Sequence, residues 1–236
     1  MQTHIRCERV APYVLLPGDP ARAQRIAGYF DESQKIAQNR EFLTYTGKVG
    51  SVPVSVTSTG IGCPSTAIAA EELIACGAST LIRVGTCGAL QPSIAQGDIV
   101  IATGAVRDEG TTPQYVPLRY PAIADYEVTK ALIDAASQLG ARYHFGIVHT
   151  KDAFYMELGA TPEAAQEIEQ LRRSGILATE MECSSLFVIS QLRRIRAGGV
   201  LAVVGPVGAI ADPTAGVDLA IRVGVEAIKL LAERGI

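Results

Sequence analysis

Short apolar segments rich in β-branched residues alternate with longer amphipathic segments along most of the chain. The short segments have the length and composition of strands in a buried sheet that is covered on both faces. They predict six strands: Tyr13–Leu16, Val52–Thr57, Thr80–Val84, Asp98–Ala102, Phe145–Thr150 and Val200–Val204. The first three run directly into turns that contain glycine, where the backbone N–H groups are free to approach a ligand.

The longer segments place apolar residues at helical spacing, between residues that start and stop helices. Proline near the start and glycine after the end are the expected signals. They predict five helices: Pro64–Gly77, Glu127–Leu139, Thr161–Arg173, Glu180–Leu192 and a last one from Asp212 or Pro213. We therefore predict an α/β fold with a twisted, mostly parallel mixed central sheet flanked by helices. Residues 1–236 contain no linker, which favours one domain, and the proline-rich stretch 107–124 predicts an ordered loop near a functional site.

The composition narrows the class of function. Lys and Arg number 21 against 24 Asp and Glu, a net charge of −3, and a nucleic-acid surface normally needs a basic excess, so we expect no nucleic-acid partner. Five cysteines without a CxxC pair and only three histidines argue against a zinc site and indicate free thiols in a cytoplasmic protein. The charged N-terminus lacks an apolar signal segment, and the uncharged stretch Gly198–Ala211 is too short to cross a membrane.

Two glycine turns carry arginines suited to an anion. In Leu16–Arg22 the turn exposes N–H groups, and Arg22 can aim a planar guanidinium at the same anion; the alternative is a plain strand-to-helix turn with a surface arginine. In Ile82–Gly88 a charged Arg83 lies inside an apolar strand, followed by the hydroxyl of Thr86. A buried charge needs an anion or a structural ion pair, and both interpretations stay open. A dinucleotide-binding turn would need a third glycine that is missing here.

Two further segments suggest contacts with a sugar and a planar ring. Thr179–Cys183 holds two carboxylates around Met181, which suit sugar hydroxyls and a sugar or base face, or alternatively the N-terminus of a helix. Lys151–Tyr155 ends a strand with Phe154 and Tyr155, which could stack on a base or belong to the core.

Taken in order, these segments resemble one family. LLPGDPAR, STGIGCPSTAIAAEEL, RVGTCGALQ, KDAFY and EMEC occur at spacings similar to those of the nucleoside phosphorylase-I family. The motif sequences most resemble those of its uridine phosphorylase branch, and segments Asn39–Phe42 and Pro117–Ala124 resemble that branch as well. The resemblance covers nearly the whole chain. The resemblance implies a homo-oligomer, a hexamer built as a trimer of dimers, whose sites are shared between subunits.

The resemblance also implies the roles of individual residues. A phosphate co-substrate would be bound by Gly18, Arg22, Arg83 and Thr86, with Arg40 supplied by a neighbouring subunit. The nucleoside would be bound by His4 of a neighbour and by Phe154, Glu180, Met181 and Glu182, and Arg83 and Glu182 would be the catalytic residues. No cofactor is implied, but Glu41, Ile61 and Ser65 match positions that bind a monovalent cation, potassium, at a dimer interface.

The residues that would choose the base depart from the family. Uridine phosphorylases place Gln and Arg shortly after the KDAFY-like segment, whereas Met156–Ala160 contains neither. Hexameric purine enzymes carry Ser-Asp after the strand that matches Val200–Val204, whereas Gly205-Pro206 follows here. The base would then be recognised by another residue, Gln114, Tyr115 or Glu157.

We predict a uridine phosphorylase that uses phosphate to release the base and a (deoxy)ribose 1-phosphate. A phosphorylase of purine nucleosides (inosine, guanosine or methylthioadenosine) is the first alternative. A nucleosidase would use water, which needs no cluster such as Arg22, Arg40 and Arg83. A non-catalytic nucleoside-binding homologue is the remaining alternative.

Overall fold

A computed structural model of the chain describes residues 4–155, 161–209 and 212–236. Within these residues ten strands form one sheet, accompanied by six α-helices. The strands are β1 Tyr13–Leu16, β2 Glu32–Asn39, β3 Phe42–Val49, β4 Val52–Thr57, β5 Thr80–Ala89, β6 Ile99–Asp108, β7 Ala122–Ile123, β8 Tyr143–Lys151, β9 Ala178–Glu180 and β10 Arg196–Pro206. The helices are α1 Pro20–Ala27, α2 Cys63–Ala75, α3 Tyr126–Gln138, α4 Pro162–Arg173, α5 Cys183–Arg193 and α6 Val217–Glu233.

Part of the sheet closes on itself. The strand order is β10-β6-β8-β9-β5-β1-β4-β3-β2, and β10 also pairs with β5, so five strands form a closed circuit. From β5 the remaining strands β1, β4, β3 and β2 extend outward, and β7 pairs with β6. Parallel pairs join β1 to β4 and β5, β5 to β10, and β8 to β6 and β9, while the other pairs are antiparallel.

Helices cover both faces of the sheet, as predicted. One apolar cluster contains Leu73 of α2 and Phe187 of α5, and both side chains are fully buried. A second cluster contains Ile26 of α1, Leu132 of α3 and Ile228 of α6. Five of the six described helices contribute buried apolar side chains, whereas α4 contributes none, and burial of such side chains is the main favourable term in folding. No helix among the described residues is long and apolar enough to cross a bilayer.

The predicted elements are present, with some errors at their ends. β1 and β4 have the predicted bounds, whereas β5, β6, β8 and β10 run further than the apolar segments that indicated them. The predicted fourth helix begins at Cys183, because Glu180 lies in strand β9, and the last helix begins at Val217. Stretch 107–124 is not all loop, since β6 continues to Asp108 and β7 lies within it.

Four strands and one helix were not predicted. The sequence of β2, ESQKIAQN, is polar and largely exposed, because this edge strand pairs only with β3. Strands β7 and β9 have only two and three residues, too short to show a period. Helix α1 begins at Pro20, directly after the glycine turn that ends β1.

Candidate functional site

The carboxyl ends of four neighbouring strands and the end of β10 surround one cavity of about 900 Å³. Its lining comes from the turn after β1, the second half of β5, the end of β8, strand β9 and the residues after β10. A volume of this size is typical of a site for one or two small molecules. The order of the strands therefore decides which side chains meet in it.

The turn after β1 builds one end of the cavity. Gly18 approaches the backbone so closely that a Cβ atom there would lie 3.0 Å from the carbonyl oxygen of Gly60. Asp19 caps α1, since its Oδ1 accepts a hydrogen bond of 2.9 Å from the N–H of Ala21. Arg22 then follows in the first turn of the helix, lines the cavity, and donates from Nη1 to the carbonyl of Val84 at 3.3 Å. Helix N-termini of this kind attract anions.

Arg83 of β5 is buried beside two carboxylates. Its Nε lies 3.0 Å from Oε2 of Glu180, and its Nη2 pairs with Oε2 of Glu182. Burial works against the charge, but Glu182 and Glu180 more than offset it, so the pKa of the Arg83 guanidinium is raised. The structural ion pair considered from the sequence is therefore present, and Arg83 also lines the cavity.

Arg22 and Arg83 are close enough to repel each other. Burial lowers the pKa of the Arg22 guanidinium, and the positive charge of Arg83 lowers it further. Like charges held together in a partly buried site are costly until an anion lies between them. The hydroxyl-bearing Thr86, three residues after Arg83 on β5, lines the same part of the cavity. Together with the Gly18 turn this arrangement can bind a phosphate-sized anion.

The two predicted sugar-binding carboxylates differ in what they contact. Glu180 is the residue that holds the N-terminus of α5, since it accepts hydrogen bonds from the N–H groups of Glu182 and Cys183 and from the hydroxyl of Thr150. With Arg83 Nε as a further donor, its oxygens are occupied within the chain. Glu180 also lines the cavity, and its predicted contact with the nucleoside stays a prediction.

Glu182 has fewer contacts within the chain. Its Oε1 accepts a 2.7 Å hydrogen bond from the N–H of Gly62, and its side chain makes no capping hydrogen bond to α5. Burial raises the pKa of Glu182; Arg83 lowers it, and Glu180 raises it again. Met181 lies between the two glutamates and lines the cavity with them. Acceptor oxygens beside a thioether remain available on the cavity wall.

The end of β8 supplies aromatic and cationic groups. Phe154 and Tyr155 both line the cavity, and their rings meet edge to face with centroids 5.0 Å apart. Phe154 is half-exposed, so it does not belong to the core. Lys151 also lines the cavity although only 5% of it is exposed. The sequence motif contained Lys151, but no role was predicted for it, because nothing in the sequence places a strand-end lysine in a cavity wall.

Two predicted binding residues, Arg40 and His4, do not line the cavity of their own chain. The side chain of Arg40 is 67% exposed and its Nε lies 3.7 Å from Oε2 of Glu41. His4 contacts Oε1 of Glu72 through Nδ1 at 3.0 Å and packs edge to face on Phe42. This is compatible with the prediction that both serve a neighbouring subunit.

The predicted cation ligands lie near one edge of the cavity. Ser65 Oγ lies 3.3 Å from Oε1 of Glu41 and also donates to the carbonyl of Thr59. Glu41 and the highly exposed Ile61 line the cavity. These are oxygen donors of the kind that hard cations prefer. In the part of the chain that the structure describes, no group of three or more His, Cys, Asp or Glu side chains could hold a metal, so the predicted site would depend on hydroxyl and backbone oxygens beside Glu41.

Two of the three residues suggested to recognise the base, Gln114 and Tyr115, do not line the cavity. Gln114 donates to the carbonyl of Gly110, and neither it nor Tyr115 lines the cavity. Glu157 belongs to residues 156–160, which lie outside the described part of the chain. Recognition of the base by Gln114 or Tyr115 stays a prediction, and neither side chain lines the cavity of its own chain.

Known proteins share both the sequence and this architecture. The family profile described as the phosphorylase superfamily matches residues 12–234. The chain belongs to the phosphorylase superfamily. It is similar to the uridine phosphorylase of Thermococcus kodakarensis, with 50% identity over 99% of this chain and 87% of the relative. It is 39% identical to the guanosine phosphorylase of Halorubrum lacusprofundi, over 86% of this chain and 83% of that protein.

A solved structure of this superfamily has the same fold. The crystal structure of uridine phosphorylase from Vibrio fischeri superposes with a TM-score of 0.90 at 36% identity and covers 97% of each chain. The α/β fold expected from the alternation of strands and helices, and the resemblance to the uridine phosphorylase branch, are confirmed.

Proposed function

We propose that this protein is a uridine phosphorylase, which cleaves the N-glycosidic bond of uridine with inorganic phosphate and releases uracil and ribose 1-phosphate. The observation that carries this proposal is the juxtaposition of Arg22 and Arg83 at the glycine turn after β1. Hydrolysis by water needs no such pair, whereas an anionic nucleophile does. The 50% identity to a uridine phosphorylase supports the choice of reaction and of base.

In the proposed complex, phosphate binds against Gly18, Arg22, Arg83 and Thr86. Within one chain, however, Glu180 and Glu182 balance the two arginine charges. A third arginine is needed to make this end of the cavity attractive to a dianion, and we assign that role to Arg40 of a neighbouring subunit. Arg40 is 67% exposed and does not line its own cavity, which supports this assignment. The protein would then act as a homo-oligomer with shared sites, a hexamer in our proposal.

The ribose lies over Met181, with its 2′- and 3′-hydroxyls on Glu182 and its 5′-hydroxyl near His4 of the neighbour, while the base packs on Phe154. As the bond between C1′ and the base nitrogen breaks, its electron pair leaves with the base, and the ribose gains oxocarbenium character. The bound phosphate stabilises that charge, and one of its oxygens then attacks C1′. Catalysis therefore comes from orientation and preorganised charge, without a protein nucleophile.

The proposal also includes a bound cation, the co-substrate, the extent of the domain and the cellular location. Glu41, Ile61 and Ser65 are proposed to bind potassium at a dimer interface, which the approach of Ser65 Oγ to Glu41 supports. Phosphate is the only co-substrate. Residues 1–236 act as one phosphorylase domain, and the five free cysteines support a cytoplasmic site of action in nucleoside catabolism and salvage.

The test is base release from uridine, thymidine, inosine, guanosine, adenosine and methylthioadenosine, each with and without phosphate. We expect release from uridine only when phosphate is present, together with formation of ribose 1-phosphate. Release that does not depend on phosphate would identify a nucleosidase and overturn the proposal. Saturable binding without release from any nucleoside would identify a non-catalytic homologue.

Phosphorolysis of purine nucleosides is the second candidate. The identity of 39% to a guanosine phosphorylase supports it, because that relative acts on a purine and shares most of the chain. Phosphate-dependent release from inosine or guanosine that exceeds release from uridine would favour this candidate.

A further inference from the structure

The order of strands in the sheet arranges the cavity into three consecutive parts, if the proposed function is correct. The proposed phosphate ligands lie in the turn and helix after β1 and on β5, and Glu180 at the end of β9 and Glu182 directly after it lie next to β5. Strand β8 pairs with β9 on its other side, so the end of β8 lies furthest from the phosphate. Because phosphate and base bond to the same ribose carbon from opposite faces, the base should lie at the β8 end.

Lys151 is the cation at that end. In the pairing of β8 with β9, His149 lies opposite Thr179 and Thr150 opposite Glu180. Thr150 and Glu180 share one face, as their hydrogen bond shows, so Lys151 lies on the other face together with Thr179. Lys151 and Thr179 line the cavity, and both are buried. The geometry therefore places a lysine in the cavity wall, next to Thr179 and at the end away from Arg22 and Arg83.

One polar atom in this part of the cavity wall lacks a partner among the described residues. The hydroxyl oxygen of Thr179 is buried without a hydrogen bond, and behind the wall, on the neighbouring strand, Nδ1 of His149 is buried without one as well. The other ring nitrogen of His149 contacts Asp108 at 2.9 Å. Unsatisfied buried polar groups are rare in native proteins and mark places where a ligand or water completes the contacts. The base end of the cavity therefore offers hydrogen-bonding capacity that the chain itself does not use.

We propose that Lys151 is a specificity-determining residue that donates a hydrogen bond to a carbonyl oxygen of the base and so selects oxo bases over amino bases. An ammonium group has three donors and no acceptor, so it can keep a contact within the chain and still bind a carbonyl. Uracil, hypoxanthine and guanine present such an oxygen, whereas cytosine and adenine present an amino donor in the corresponding place. The departing base becomes negative, and its carbonyl oxygens share that charge, which strengthens the contact as the bond breaks.

The test compares Lys151→Met with the wild-type enzyme on two matched pairs, uridine with cytidine and inosine with adenosine. We expect kcat/KM for uridine to fall about 10- to 100-fold, the size of a lost charged hydrogen bond. The value for cytidine should stay within about threefold, because the amino group gains nothing from the ammonium. Lys151→Arg should keep the preference for uridine. Lys130→Met, the same change at an exposed pair on α3, is the control and should alter neither substrate.

Two results would overturn the proposal. One is an equal loss with all four nucleosides, which would mean that Lys151 only maintains the structure; the other is an unchanged preference in Lys151→Met. A leaving-group comparison strengthens the test, since 5-fluorouridine needs less stabilisation of its departing base and should lose less activity than uridine. Thermal unfolding of each variant shows whether it is folded.

The proposed reaction and the proposed role of Lys151 can fail separately. If the wild-type enzyme releases no base, the proposed function falls, but calorimetric binding of free uracil and cytosine still measures the preference without turnover. Stronger binding of uracil that is lost in Lys151→Met supports the role of Lys151; equal binding of both bases to the wild-type enzyme contradicts it.

Discussion

At the scale of single residues, the site is governed by one cation between two buried carboxylates. Arg83 pairs with Glu180 and Glu182, so this cluster carries one net negative charge without phosphate. The oxygens of Glu180 accept hydrogen bonds from the N-terminus of α5 and from Arg83. Glu182 is therefore the carboxylate with more capacity to accept a hydrogen bond from a ligand. Burial is the main cause of the raised pKa of Glu182; the charge of Arg83 opposes the rise, and the charge of Glu180 adds to it by less.

The substitution Glu182→Gln should change the pH dependence of stability. Because the folded pKa of Glu182 lies above its ordinary value of 4.5, the folded state holds this proton more tightly than the unfolded state. Its contribution to the free energy of unfolding is therefore complete below pH 4.5 and is lost as the pH rises through the folded pKa. The variant lacks this loss, so its stability relative to wild type should increase with pH over that window.

Urea unfolding of both proteins between pH 4 and pH 8, about four values, measures the difference directly. Glu169→Gln on the exposed face of α4 serves as the matched control and should show no such rise. A difference between Glu182→Gln and wild type that is constant with pH would contradict the assignment of the raised pKa. The same variant should lose at least about 10-fold in kcat/KM with uridine, since an ionised acceptor for the ribose is lost.

At the scale of elements, short connections at strand ends carry the chemistry. The turn between β1 and α1 is an example, because the cap of the helix and the arginine of the anion site are three residues apart. Asp19 fixes the first turn of α1, but its negative charge also lines the anion end of the cavity. Its capping role and its charge therefore act in opposite directions on phosphate binding.

Two substitutions of Asp19 separate these effects. Asp19→Asn keeps a good cap and removes the charge, so KM for phosphate should fall slightly or stay equal. Asp19→Ala removes the cap at a cost of about 1 kcal/mol and loosens the turn that orients Arg22, so KM for phosphate should rise several-fold, measured by initial rates at saturating uridine. Equal values of KM in the two variants would contradict a role for the cap.

At the scale of the whole molecule, the balance of charge within one chain argues for shared sites. The predicted phosphate ligands Arg22 and Arg83 face two glutamates, while Arg40 lies exposed outside the cavity. An isologous dimer would bring each Arg40 to the partner's cavity, because such an interface repeats every contact twice.

Co-expression of Arg40→Ala with Arg83→Ala tests this arrangement. In a mixed dimer one site would contain both substitutions and the other none, so random assembly should restore about one quarter of the wild-type activity. Each variant alone should be nearly inactive, and co-expression of two differently tagged copies of Arg40→Ala is the control. Absence of any gain, with mixed oligomers demonstrated by tandem purification, would mean that each chain builds its own site.

The sequence by itself determined the alternation of buried strands and helices, the family, and which segments face the cavity. Apolar periodicity reports burial along the chain, so β1 and β4 were predicted to the residue, and the motifs at strand ends indicated Gly18, Arg22 and Arg83. The polar edge strand β2 was not predicted, because most of its side chains are exposed and show no apolar pattern.

Only the tertiary structure decided which residues are neighbours across strands. The closed circuit of five strands, the capping of α5 by Glu180 instead of Glu182, and the burial of Lys151 beside Thr179 all depend on the register between β8, β9 and β5. The register between two strands depends on how two distant segments pack together. The apolar pattern within either segment does not specify it. For that reason motifs could indicate the arginines of the proposed phosphate site, whereas the proposed role of Lys151 depends on neighbours that only the three-dimensional structure shows.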